Sequence, residues 1–211
     1  MAINKNTTSY TVSFAVVLVC ICGALLAFLA TQLKEPQQAN VANEKRQFIL
    51  SAAGFASIDS LKSLKKSEIE KIFEKSVTSV VYNFNGEPID GENAFSIDIV
   101  KEFKATKNEP KIRRYPVFTC VNGNDTSYVI PMAGNGLWGP VWGFAALGAD
   151  QNTISGIVFD HKSETPGLGA KITESSFQNM FTDTPKMVMK KDKYMGIKVV
   201  KGEFMVFVGP S

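Results

Sequence analysis

The sequence predicts an α+β protein: a single N-terminal transmembrane helix followed by one soluble domain, an antiparallel sheet of hairpins with flanking helices. Three observations lead there. From Asn6 to Leu33 the chain has no charge, and Phe14 to Ala30 is unbroken by any strongly polar side chain. In the second half, short β-branched and aromatic runs alternate with Asn, Gly and Asp, the pattern of β-hairpins. Between these regions, apolar residues recur at helical spacing. The expected organisation is residues 1–34 as a cytoplasmic tail and anchor, 35–114 as linker, helices and an insert, and 115–211 as the core of the soluble domain.

Tyr10 to Leu33 as a helix would span about 36 Å, enough to cross a bilayer with some tilt. The competing reading, a cleaved signal peptide, requires a shorter apolar region and a small-x-small site, and no clear one precedes Gln32. A lipoprotein anchor is disfavoured because Val19 and Ile21 precede Cys20 and Cys22, where a small residue is wanted. Charge leaves the orientation open. Lys34, Lys45 and Arg46 outnumber Lys5, which would hold the C-terminal side in the cytoplasm, but long domains translocate largely regardless of charge.

Residues 35–42 read as a polar linker. Asn43 to Phe55 reads as a short helix closed by Gly54. A second helix is signalled by Ser67 as N-cap, Glu68 and Glu70 in the first turn, and an Ile69, Ile72, Phe73 stripe. Val77 to Phe84 reads as a strand, and 86–114 as an excursion from the core. Tyr115–Val121 and Thr126–Ile130 form one predicted hairpin; Val141–Leu147 and Thr153–Phe159 form another. Thr173–Phe181 is a third helix, and Ile197–Val200 with Phe204–Val208 close the chain as two strands.

Composition excludes several functions. The net charge of +3 arises from 23 basic and 20 acidic residues scattered without a stripe, so nucleic acid is not an expected partner. Cys120 is alone outside the apolar segment, which rules out a disulfide framework in the soluble part. The chain's one histidine, His161, argues against a histidine-rich metal site and against a nucleophile–histidine–acid set. No metal and no catalytic side chain are expected.

Two stretches remain as candidates for chemistry. The first is His161-Lys162-Ser163-Glu164-Thr165-Pro166-Gly167-Leu168-Gly169, where Gly167 and Gly169 permit close backbone approach and Pro166 biases Thr165 towards extended backbone. His161 lies three residues before Glu164 and could pair with it. The second is Gly136-Leu137-Trp138-Gly139-Pro140-Val141-Trp142-Gly143-Phe144. Two tryptophans among glycines either pin a loop to the core or wall a flat heteroaromatic ligand.

These two motifs, in this order behind one anchor, closely resemble the C subunit of the sodium-translocating NADH:quinone oxidoreductase over nearly the whole chain. Glu164 to Gly169 is shared with the wider FMN-binding domain family, including the G subunit of the related ferredoxin:NAD electron-transport complex. Gly136 to Pro140 and the long insert look more like the C subunit. The resemblance implies an FMN-carrying subunit, not catalytic alone, in a complex that passes electrons from NADH to ubiquinone or menaquinone and exports Na+. It implies a soluble domain on the outer, periplasmic face of a bacterial inner membrane, with the other subunits, a flavin transferase and membrane lipid as partners. Glu164, Thr165, Gly167 and Leu168 would line the flavin site, with Gly136, Leu137 and Trp138 nearby.

The family attaches FMN through its phosphate to a threonine in a Ser-Gly-Ala-Thr motif a little beyond the strand that Lys201 to Phe207 resembles. That motif is absent from this sequence; Ile154-Ser155-Gly156-Ile157 has only the Ser-Gly. The expectation is a C-terminal truncation, with residues 115–211 an incomplete FMN-binding-type core and covalent attachment in doubt. The alternatives are the G-type flavin role and a non-redox, membrane-anchored assembly or ligand-binding module.

Overall fold

The computed structural model describes residues 7–182, 188–190, 193–194, 196–199 and 205–208. The chain forms two compact units, Met1–Glu44 and Lys45–Ser211.

In the first unit, the described residues belong almost entirely to one helix, α1 (Thr8–Ala52), whose last turns, from Lys45, are part of the second unit. Its N-terminal part is long and apolar enough to cross a membrane. The expected linker at 35–42 is helical, and so is Asn43 to Ala52; Pro36 lies inside the helix. A proline there removes one backbone donor and ordinarily ends or kinks a helix. Here the helix-compatible residues Gln37, Gln38, Ala39 and Ala42 carry it onward.

The second unit is built on a five-stranded antiparallel meander, β1 (Val77–Tyr82), β2 (Tyr115–Asn122), β3 (Asp125–Asn135), β4 (Pro140–Leu147) and β5 (Ile154–His161), in that spatial order. Strand alternation sorts the side chains. Phe118 and Cys120 of β2, Val129 of β3, Phe144 and Ala146 of β4 and Val158 of β5 bury together with Phe48, Ile49 and Ala52 from the end of α1. On β5 the alternate residues Ile157 and Phe159 gather with Phe177 and Phe181. The β2–β3 turn is tighter than expected: Asn122 pairs with Asp125, and Gly123 supplies the positive φ of 62°.

The helices differ in detail from expectation. A six-residue helix, α2 (Ile58–Ser63), is capped by Ser57, whose hydroxyl accepts from Ser60 N–H. The next helix, α3 (Lys66–Ser76), starts before Ser67. Glu68 reaches back to accept from the Lys65 N–H at 3.1 Å, so Lys65 takes the cap position. Within the 86–114 excursion, α4 (Ile99–Ala105) is capped by Asp98 and tied to the start of β2 by a buried carboxylate: Glu102 pairs with Arg114, whose Nη2 approaches to 2.7 Å. The expected Thr173–Phe181 helix is reduced to α5 (Ser175–Asn179) after a 3-10 turn at Gly169–Thr173.

Two short antiparallel pairs follow, β6 (Met189–Lys190) with β7 (Lys193–Tyr194), and β8 (Gly196–Val199) with β9 (Met205–Val208). The second matches the predicted closing strands, while their Lys201-Gly202-Glu203 connection and the end of the chain lie outside the described residues.

Candidate functional site

β4 and β5 form one hairpin, and the chain enters β4 at the same end from which it leaves β5. Val141 is registered with His161 there, and Lys162 N–H extends the ladder to Pro140 O at 3.1 Å. The approach loop, residues 136–139, and the exit loop, residues 162–169, are therefore neighbours although far apart in sequence.

Glu164 joins them. It is 8% exposed, and its Oε1 accepts the Trp138 N–H at 2.9 Å. A Cβ on Gly136 would collide with Oε1 and would lie 2.9 Å from the Glu164 Cδ; one on Gly169 would collide with Oε2 and lie 3.1 Å from the Glu164 Cβ. Gly139 likewise makes room for the Ser163 hydroxyl, which donates to Trp138 O at 3.0 Å. Three glycines whose sequence context suggests ligand approach or aromatic packing thus serve first to admit two polar side chains of the exit loop. Gly167 is different: its φ is +75° and open space lies where a Cβ would stand.

Outside this joint, apolar surface faces solvent. Leu137 is 82% exposed, Trp138 67% and Leu168 73%. Three large apolar side chains on adjoining loops mark an interaction surface better than scattered exposed residues would. The amides of Thr165, Gly167 and Gly169 have no hydrogen-bond partner among the described residues, whereas Thr165 O accepts from Leu168 and Ala170 N–H at 3.1 and 3.2 Å. The site is thus an open surface. Two shallow cavities of about 260 and 380 Å³ lie elsewhere, at Asn83–Asn85 with Lys111 and around Glu102 and Arg114.

The tryptophans part company. Trp142 lies in β4 and packs against the core cluster, while Trp138 faces out. His161 does meet Glu164, but through the backbone: its Nδ1 accepts the Glu164 N–H at 3.2 Å, and the carboxylate goes to Trp138. Ser155-Gly156 lies inside β5, with Gly156 pressed against the Ala52 carbonyl, so it is no substitute for an attachment loop. Ser163 is the residue that sequence reasoning misses. Its one signal is adjacency to Glu164, and its role depends on a partner 25 residues away.

This surface falls within residues 136–204, which match the FMN-binding domain family. The C subunit of the Na(+)-translocating NADH-quinone reductase from Vibrio parahaemolyticus is 31% identical over 216 residues, covering 96% of this chain and 81% of that protein. The chain belongs to the C-subunit family of these reductases. Its Pseudomonas aeruginosa relative is 25% identical over 94% of the chain and 80% of its own length. The crystal structure of the family member from Parabacteroides distasonis superposes with a TM-score of 0.67 at 35% identity, covering 80% of this chain and 77% of that one. For the Shewanella oneidensis member the score is 0.61 at 25% identity, with 77% and 78% covered. Family membership and the apolar helix make this a membrane-associated protein.

The residues present fit a flavin. The exposed apolar side chains of Leu137, Trp138 and Leu168 on neighbouring loops suit a flat ring system, and the exit-loop amides that lack a partner among the described residues suit its polar edge or a phosphate.

Proposed function

We propose that this chain carries FMN between the 136–139 and 162–169 loops and serves as an electron-transfer subunit of a Na+-translocating NADH:quinone reductase. The observation that supports it most is the exposed Leu137–Trp138–Leu168 surface, braced by Glu164, inside the segment that matches the FMN-binding family. FMN, when bound, supplies the electron acceptance and release. The chain's own part would be to hold and orient it: the exposed Leu137, Trp138 and Leu168 side chains would lie against its ring system, and the Thr165, Gly167 and Gly169 amides, without partners among the described residues, would donate to it. No side chain is assigned an acid–base role. A flavin transferase and the other subunits are the expected partners, with lipid around the Tyr10–Leu33 segment.

The test is purification of the chain from cells that also make the flavin transferase, followed by in-gel flavin fluorescence and titration with free FMN. Binding with a flavin spectral shift is expected in the titration, and its absence would favour a non-redox assembly module. We further propose that the soluble unit faces the periplasm. Cysteine introduced at Asn124, in the exposed β2–β3 turn, should react with an impermeant maleimide in intact cells. Labelling only after lysis would place the unit in the cytoplasm.

A further inference from the structure

Trp138 is held by both groups of its own backbone. Its N–H donates to Glu164 Oε1 at 2.9 Å, and its C=O accepts from Ser163 Oγ at 3.0 Å. The two grips come from consecutive residues leaving β5, while Trp138 lies just before β4. Gly136 N–H donates to Gly139 O at 2.7 Å and closes the loop around the tryptophan. Packing cannot do the holding, because the side chain itself is 67% exposed. Main-chain hydrogen bonds are what remain, and one of them is to a charged acceptor, the stronger kind.

We propose that Glu164, assisted by Ser163, is a positioning residue: it fixes the backbone of the 136–139 loop so that Trp138 stands in place before any ligand arrives. Glu164 then acts on the ligand through Trp138 and need not touch it. The glycines at 136 and 169 follow from the same arrangement, since each leaves the carboxylate the space it occupies. A surface ordered in advance loses less conformational freedom on binding, so its affinity depends on the clamp. The effect on FMN rests on the function proposed above, whereas the clamp can be measured without flavin.

The experiment uses the full chain in detergent micelles, with amide hydrogen exchange read at Trp138 and, as a fold control, at Val129 in central β3. FMN is titrated in parallel. Glu164→Ala should speed Trp138 exchange by about tenfold or more with Val129 unchanged, and weaken FMN by a similar factor. Glu164→Gln keeps an acceptor oxygen and should stay within about threefold of the parent on both readouts. Trp138 exchange unchanged in Glu164→Ala overturns the proposal. So does Glu164→Gln behaving like Glu164→Ala, since charge and not the grip would then matter. Should Glu164→Ala unfold, as Val129 would reveal, Ser163→Ala decides: faster exchange at Trp138 supports the clamp and unchanged exchange overturns it. A parent chain with a protected Trp138 amide and no FMN affinity would sink the flavin function while the exchange series still judged the clamp.

Discussion

The carbonyl of Ala52, the last residue of α1, occupies the place where a side chain on Gly156 of β5 would have to stand. The helix end can approach the sheet this closely because β5 has no Cβ at that point. Phe48 and Ile49, in the preceding turn, are thereby brought onto Phe144 and Val158.

Gly156→Ala should therefore destabilise the second unit by about 1–3 kcal/mol, since backbone rather than a flexible side chain must give way. Urea denaturation of the chain in detergent measures this. A variant as stable as the parent would mean that the helix end shifts freely on the sheet.

The glycines of the two site loops should separate by what each one meets. Gly136→Ala confronts both the Glu164 carboxylate and the Gly139 carbonyl, so it should weaken FMN most. Gly169→Ala meets only the Glu164 side chain and should weaken it less. Gly167→Ala has open space but a left-handed φ, and its cost of about 1 kcal/mol should be backbone strain. Equal effects from all three would argue that the space each glycine leaves for the Glu164 side chain does not set the affinity.

How much of this is legible in the sequence follows from where each signal lies. The apolar helix and the hairpins are local patterns, and each can be read within about two dozen residues. Helix α2 cannot, because one buried residue, Leu61, gives no periodicity in six positions. The continuation of α1 past Pro36 contradicts a strong local rule. At the site, the motifs can be named but not their arrangement: the partnership of Gly136 and Gly169 with one carboxylate between them exists only once β4 pairs with β5.

Lys45 should give the second unit an alkaline signature. Its ammonium donates to Phe95 O at 2.7 Å and Ile97 O at 2.9 Å, above the rings of Phe95 and Phe118. Burial lowers its pKa from 10.5 to about 8, against the pull of Asp98. Between those values the unfolded chain holds a proton that the folded chain has released. Stability should accordingly rise with pH across that window. The difference between parent and Lys45→Met, followed by urea denaturation from pH 8 to 10, isolates the contribution. A flat or falling difference would contradict it.

Glu102 should act at the acid end. Hydrogen bonding to Arg114 holds its carboxyl below the ordinary value of 4.5, despite burial. Its contribution is present above that value and is lost as pH falls through the lower folded pKa. Glu102→Gln should cost about 1–3 kcal/mol at neutral pH and flatten that part of the acid profile. An unchanged acid limb in the variant would show that other carboxylates govern it.

The meander places the two site loops at the open end of a single hairpin, with Trp138 and Glu164 separated by 26 positions in the chain. Once β4 and β5 have zipped, those ends already lie side by side, and joining them adds little loop-closure entropy. The proposed ligand surface would thus be inherited from one local folding event. Its assembly does not have to wait for the long connection between β1 and β2 or for the end of α1 to dock, and refolding followed at Trp138 should track the β4–β5 pairing.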